Sequence, residues 1–344
     1  MVAFALLAAL LLQDDPHALV QQLGSDDLEL RDTAQAKLVQ LGAAALPALE
    51  KGAKSDIEEI RSRSNHILSG FNYKNRAFVL SFASMGEVGV TRLLKELGTR
   101  TDQDERRLLI EALGLSKSEK ALDAIKAETR AKEGETRRVA LAALGNFATK
   151  EAVDTLMASV NDPDPRYRST VLLALGRTKT PTAIGKLIGG LRDADPRIRT
   201  ACTEGLLAAA CDTTADEIAK GLSLEEPFTI QYCITLLGRV KAKKHRDAIA
   251  KHVAGADKVA CAAVWALGQM GECRETVKAA LERAPSVACM AAEALWRMGD
   301  KGGLALLYRT LEGEHAALAE DRLRAMTGKE LGKDVAKWKA LLEK

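Results

Sequence analysis

Six cations crowd one short stretch of this 344-residue chain: Arg239, Lys241, Lys243, Lys244, Arg246 and Lys251, with Asp247 as the acid among them and His245 and His252 alongside. Ammonium and guanidinium groups at that density suit phosphate, an acidic partner or anionic lipid headgroups. The stretch spans a turn between two helices, and the other turns are not basic. No aromatic side chain interleaves it, so the stacking platform that single-stranded nucleic acid uses is lacking. A solvated turn is the plainer reading, and anion or partner contact the functional one.

A second recurring pair sets an acid four residues before an arginine: Asp102 and Arg106, Glu133 and Arg137, Asp164 and Arg168, Asp195 and Arg199. That spacing puts both on one helical face, with the acid near the positive helix N-terminus. Repetition at successive units reads as a structural ladder, because stacking must recur in every unit and a ligand site need not.

Catalytic patterns are scarce. The five histidines, His17, His66, His245, His252 and His315, never fall at the HExxH spacing that sets two imidazoles and a base on one helical face. The segment Ile184-Gly185-Lys186-Leu187 lacks the earlier glycine and the hydroxyl residue of a phosphate loop, and Gly-x-Ser-x-Gly is absent. Six cysteines, Cys202, Cys211, Cys233, Cys261, Cys273 and Cys289, contain no CxxC pair. Cys202 and Cys233 occupy one equivalent position and Cys261 and Cys289 another. Neighbouring packed helices lie roughly 8–10 Å apart, too far for a disulfide between equivalent residues. Those four read as small buried apolar residues. Cys211 and Cys273, at unit turns, are the exceptions if the protein is exported. We expect no catalytic residue, cofactor or metal.

The elements that carry these residues follow from a repeat. Leu113-Gly114, Leu144-Gly145, Leu175-Gly176 and Leu237-Gly238 lie on a 31-residue grid, with Leu206-Leu207 in the missing slot. Leu267-Gly268, Leu295-Trp296 and Leu323-Arg324 continue it, and Leu41-Gly42, Ile67-Leu68 and Met85-Gly86 are less regular copies. Pro165, Pro196, Pro227 and Pro285 each stand ten residues before a marker Leu, where the fixed φ of proline suits a first helical turn. The glycine after the marker Leu is expected to turn left-handed just past the helix end. A second apolar pattern follows in each unit, as in Ala152, Val153, Leu156, Met157 and Val160. Thr214 with Glu217, and Ser55 with Glu58, have capping-box spacing. Each unit is therefore a helical hairpin that must stack to bury both faces.

The run from Asp164 to Gly176, and its partner from Asp195, resembles HEAT repeats, including the bilin-lyase-type subgroup. Gly42 to Leu49 resembles the second helix of such a unit. Thr327-Gly328, Gly332, Asp334 and Trp338 resemble a terminal motif of exported bacterial HEAT-repeat proteins. The resemblance implies an all-α fold, a right-handed α-solenoid of about ten hairpins with first helices outside and second helices lining a concave surface. It also brings enzymes into view. Di-iron hydroxylases on this fold carry His-Glu pairs, and here no His precedes Glu. A glycosylase needs a strongly basic groove with aromatic residues, and here basic residues are scattered and aromatics are 4%.

Composition agrees with stacked helices: aromatics are few, and Ala, Leu, Glu, Lys and Arg dominate. A net charge of +3 creates no global field for nucleic acid or membrane. Val2 to Leu12 is an uncharged apolar run of 11 residues, too short to span a bilayer and suited to the core of a secretory signal peptide over residues 1–13. The n-region lacks Lys and Arg. Residues 14–344 then form one solenoid, irregular over 14–100 and regular over 101–344, whose weak joint is Gly70 to Arg76. The expectation is an exported monomeric protein with no transmembrane span, a scaffold binding a protein or peptide on its concave face, with nucleic acid an improbable partner. The alternatives are a tetrapyrrole lyase-like enzyme or accessory, and a nucleic-acid-binding protein using residues 239–251.

Overall fold

The computed structural model describes residues 15–343, and every regular element among them is an α-helix or a short 3-10 turn. The apolar run Val2 to Leu12, and with it the signal-peptide expectation, lies outside the described residues. The chain divides into two units at Ala174 and Leu175.

The first unit contains α1 (Pro16–Gln22), α2 (Leu28–Leu41), α3 (Leu46–Gly52), α4 (Glu58–Gly70), α5 (Arg76–Ser81), α6 (Gly86–Thr99), α7 (Gln103–Ser116), α8 (Leu122–Glu128), α9 (Gly134–Leu144), α10 (Lys150–Ala158) and most of α11 (Pro165–Thr178). Long first helices α7, α9 and α11 alternate with shorter second helices α8 and α10. Leu109, Ile110 and Leu113 of α7 and Leu141 and Leu144 of α9 are buried, as helical spacing requires of one face.

The joint from Gly70 to Arg76 is filled rather than loose. Phe71 stacks on Phe78 at 4.7 Å between ring centroids, and Phe78 meets Phe82 edge-on at 5.2 Å. The stretch Arg76–Thr99 is long and apolar enough to cross a membrane by length and composition. It is not one helix, however: a 3-10 turn, Phe82–Met85, interrupts it and Gly86 takes φ 60°. Phe78, Val90, Leu93 and Leu97 are buried in the protein core.

The second unit runs from the end of α11 through α12 (Pro181–Gly190), α13 (Pro196–Ala209), α14 (Ala215–Ala219), α15 (Pro227–Arg239), α16 (Arg246–Ala250), α17 (Asp257–Met270), α18 (Arg274–Ala279), α19 (Pro285–Arg297), α20 (Leu304–Leu311), α21 (Ala316–Thr327) and α22 (Val335–Leu342). The first helices pack on one another, α15 on α17 and α17 on α19. At its end Trp338 is fully buried, its indole N–H donating to the Gly332 carbonyl at 2.8 Å. Gly328 and Gly332 take the left-handed φ of 69° and 56° there.

Pro165, Pro196, Pro227 and Pro285 are each the first residue of a helix. Gly42 and Gly86, of the irregular copies, do take positive φ, 57° and 60°, but in the regular repeats the marker glycines have a different role from the one expected. The left-handed residue comes three positions later, at Lys117, Lys179, Lys241 and Gly271. The glycines themselves permit close helix approach: a Cβ on Gly145 would stand 2.8 Å from the Ala174 backbone, and one on Gly238 2.7 Å from the Ala266 Cβ. The capping boxes also fall elsewhere. Thr214 closes a box opened by Cys211, and Ser55 precedes an N-cap at Ile57 that has no side-chain cap.

Candidate functional site

The recurring acids are helix caps. Asp102 accepts from the backbone N–H groups of Asp104 and Glu105 at 3.0 Å each, and Glu133 from those of Glu135 and Thr136 at 3.0 and 2.6 Å. Asp164 and Asp195 accept from Arg166 and Arg197 backbone N–H groups at 2.9 Å each. These bonds satisfy donors that a helix leaves unpaired at its start and stabilise the ionised carboxylates. Glu133 titrates at about 2, held down by the two backbone N–H groups first.

The arginines reach backward instead. Arg106, Arg168 and Arg199 each donate through Nη1 to the carbonyl six residues earlier, Arg100, Asp162 and Asp193, at 2.6, 2.9 and 2.7 Å. Arg31 and Arg61 do the same to Ser25 and Ser55 at 2.6 and 2.7 Å. Each guanidinium thereby fastens the loop that enters its own helix. Arg137 departs: it lies 4.1 Å above the Tyr167 ring, a cation–π contact. The six-residue reach is absent from the acid-to-arginine spacing alone, but the pairs Ser25/Arg31 and Ser55/Arg61 carry it outside the regular repeats.

The basic stretch of the second unit is partly neutralised. Lys244 bonds Asp216 at 2.7 Å, His245 Nε2 lies 2.8 Å from the same carboxylate, and Lys243 pairs with Glu272 at 3.2 Å. Lys244, first, and then His245 hold the Asp216 carboxyl below its ordinary range. Arg246 lies within 4.0 Å of Asp247 and Glu272. Arg239 closes α15, Lys241 occupies the left-handed turn and both are exposed. Lys251 starts a 3-10 turn beyond α16, at the far end of that short helix from Lys241 and Lys243. The cations therefore do not form one compact patch.

The six cysteines are free thiols. Cys202 and Cys233 are buried where Gly190 and Gly221 make room: a Cβ on either glycine would stand 2.4 Å from the facing sulfur. Among the described residues no group of three or more His, Cys, Asp or Glu side chains could hold a metal ion.

Open grooves recur at the turns that lead from a second helix into the next first helix. In the second unit one groove of about 420 Å³ is lined by Leu191, Arg192, Asp193, Arg199, Glu226 and Phe228. Another of about 430 Å³ lies at the equivalent turns later in the repeat, between Leu281 to Ala288 and Gly313 to His315. Phe228 is exposed there and stacks on Tyr232 at 6.2 Å. In the first unit a groove of about 630 Å³ lies between α8 and α10, with Lys126, Arg130, Asp154 and Thr155 on its walls.

Residues 124–207 match the family described as HEAT repeats. No curated protein matches. Among solved structures, an engineered protein is similar at 17% identity and TM-score 0.32 over 91% of this chain and 98% of that one. The complex of CpcE and CpcF of phycocyanin lyase from Nostoc sp. PCC7120 is similar at 16% identity and TM-score 0.33 over 83% and 94%. Importin beta is similar at 14% identity and TM-score 0.46 over 90% of this chain and 51% of that one.

Proposed function

We propose that this chain, whose residues 124–207 are HEAT repeats, is a non-enzymatic scaffold that binds a protein or peptide across several repeats. The observation that supports this reading is recurrence: the groove at Leu191 to Phe228 returns at Leu281 to His315, open to solvent both times. An extended partner crossing successive turns would meet the same kind of seat repeatedly, with affinity spread over many modest contacts. An enzyme instead concentrates perturbed, converging groups in one cleft. Exposed Phe228 is the natural anchor, because aromatic side chains give much contact area for little lost freedom.

The test is photocrosslinking in the source cells, with a reactive amino acid placed at Phe228, at Thr310 or, on the opposite turns, at Lys241. One partner of defined mass captured from both Phe228 and Thr310, and not from Lys241, is the expected result. Capture from Lys241 alone would move the interface to the basic turn and sink the groove reading. Export belongs to the same proposal and rests on the apolar run Val2 to Leu12. A mature chain starting near Asp14 in an envelope or secreted fraction is expected, and an intact Met1 chain in the cytosol would overturn export.

A further inference from the structure

Phe228 breaks a pattern that the other regular repeats keep. It stands nine residues before its marker Leu237, where those repeats hold Asp104, Glu135, Arg166, Arg197, Lys258, Ser286 and Glu314. Stacking therefore asks for no apolar side chain at this position, and six of those seven residues, all but Ser286, are exposed. Phe228 is itself 46% exposed, whereas Phe78, Phe82 and Phe147 are buried. Tyr232, one turn further along α15, lies nearly parallel to it, with 15° between the ring planes and 6.2 Å between centroids. The Tyr232 hydroxyl donates to the Thr203 carbonyl of α13 at 2.6 Å, which fixes the second ring. Two rings held in this way form an apolar ledge that a partner can cover at little cost in side-chain freedom.

The charged groups of the groove beside this ledge are unequally committed. Both acids are engaged by backbone: Glu226 accepts from the Phe228 and Thr229 N–H groups at 3.0 and 2.5 Å, and Asp193 from the Asp195 N–H at 2.8 Å. Half-buried Arg199 gives Nη1 to the Asp193 and Ala194 carbonyls at 2.7 and 3.0 Å, which are neutral acceptors. Exposed Arg192 lines the same groove, and neither arginine forms an ion pair among the described residues. A guanidinium carries five donors in a planar fork that matches a carboxylate, so acceptors of that kind are what the groove lacks.

We propose that the segment seated at Phe228 is an acidic peptide with an aliphatic or aromatic anchor. The anchor covers the Phe228 ring, and carboxylates flanking it take the open donors of Arg192 and Arg199. A basic segment would set like charges against both guanidiniums, which selects against it. The later groove, with Glu314 at the position of Phe228, has no ring to offer, so the anchor belongs to the earlier one. This inference rests on the scaffold reading and gives its partner a chemistry.

Fluorescence anisotropy of the full chain with labelled Gly-Asp-Asp-Leu-Phe-Asp-Asp-Gly tests the proposal, beside one peptide with Asn for every Asp and another with Ser for Leu and Phe. Saturable binding of the first is expected, with each of the others roughly tenfold weaker. Phe228→Ser, which copies Ser286 at the same place in another repeat, should weaken the acidic peptide about tenfold and keep the wild-type circular dichroism. Should it not fold, Arg192→Gln, at an exposed position, is read by the same criterion. No saturable binding of the acidic peptide, equal binding of its Asn form, or unchanged affinity in the folded variant would each overturn the proposal. The two readings fail separately. A partner crosslinked from both Phe228 and Thr310, with the acidic peptide no tighter than its Asn form, keeps the scaffold and removes the acidic segment. Acidic-peptide binding that Phe228→Ser weakens, without capture from Thr310, keeps the seat and removes a partner spread over several repeats.

Discussion

Gly176 on α11 lies against the backbone of Gly205 on α13, so close that a Cβ on Gly176 would stand 2.2 Å from the Gly205 carbonyl oxygen. Backbone cannot swing aside as a flexible side chain can, so any larger residue must push the two helices apart. Gly176→Ala should lose about 2–3 kcal/mol, the range of an overpacked core. Gly185, inside α12 with nothing within 4 Å of its missing Cβ, is the control. Gly185→Ala should gain roughly 0.5–1 kcal/mol from helix propensity alone. Urea midpoints read at an unchanged slope separate the two; equal effects would mean that the contact is not under strain.

Lys179 and Lys241 hold φ of 55° and 53°, the left-handed turn in which a Cβ crowds the following carbonyl. At the corresponding turn of a later repeat the chain uses Gly271, with φ 71°. Lys179→Gly and Lys241→Gly should therefore stabilise the protein, each by up to about 1 kcal/mol once the looser unfolded chain is allowed for. Lys179→Val should do the reverse, since a β-branched residue resists this conformation. Thermal midpoints of the three variants decide it, and a fall in both glycine variants would contradict the strain argument.

The same residues show how much the sequence disclosed. The period, the helix starts at Pro165, Pro196, Pro227 and Pro285, and the all-helical hairpins follow from local rules, because proline geometry and apolar spacing act within one helix. The meaning of Gly176 was hidden, since what it meets is Gly205 in the next repeat. A left-handed cap and a close approach both favour glycine, and spacing cannot separate them. The i−6 reach of Arg106 and Arg199 was hidden for a related reason: it depends on how the loop turns before the helix. The candidate grooves were not legible at all, because Leu191 and Phe228, or Leu281 and His315, come together only when helices stack.

Glu133 offers a pH test of the caps. Its carboxyl falls from 4.5 to about 2 because the Glu135 and Thr136 N–H groups bond the ionised form. A folded value below the unfolded one means that the stabilisation is complete above about 4.5 and is lost as pH falls from there toward about 2. Carbon-detected titration of the Glu133 carboxyl should show a midpoint near 2. Glu133→Gln should flatten the acid side of the stability profile within that window and leave its slope above pH 5 unchanged. A midpoint near 4.5 would mean that the cap bonds do not form in solution.

Thiol reactivity should order the cysteines by what surrounds them. Burial pushes Cys202 and Cys233 up to about 12, so the thiolate that reacts is almost absent at pH 8. Cys211 differs: it is half-buried, and the hydroxyls of Thr213 and Thr214, at 3.2 and 3.5 Å, draw its thiol below the ordinary value. Brief N-ethylmaleimide treatment of the native protein, followed by peptide mass spectrometry, should label Cys211 first and Cys202 and Cys233 last. Thr214→Val should slow Cys211 several-fold by removing one hydroxyl. It also severs the bond from Thr214 to the Ala209 carbonyl at 2.8 Å, so Thr213→Val is the cleaner variant. If Cys202 labels as fast as Cys211, the packing of α13 against α12 must open on the labelling timescale, and the two glycines that seat these sulfurs would mark a mobile face of the second unit.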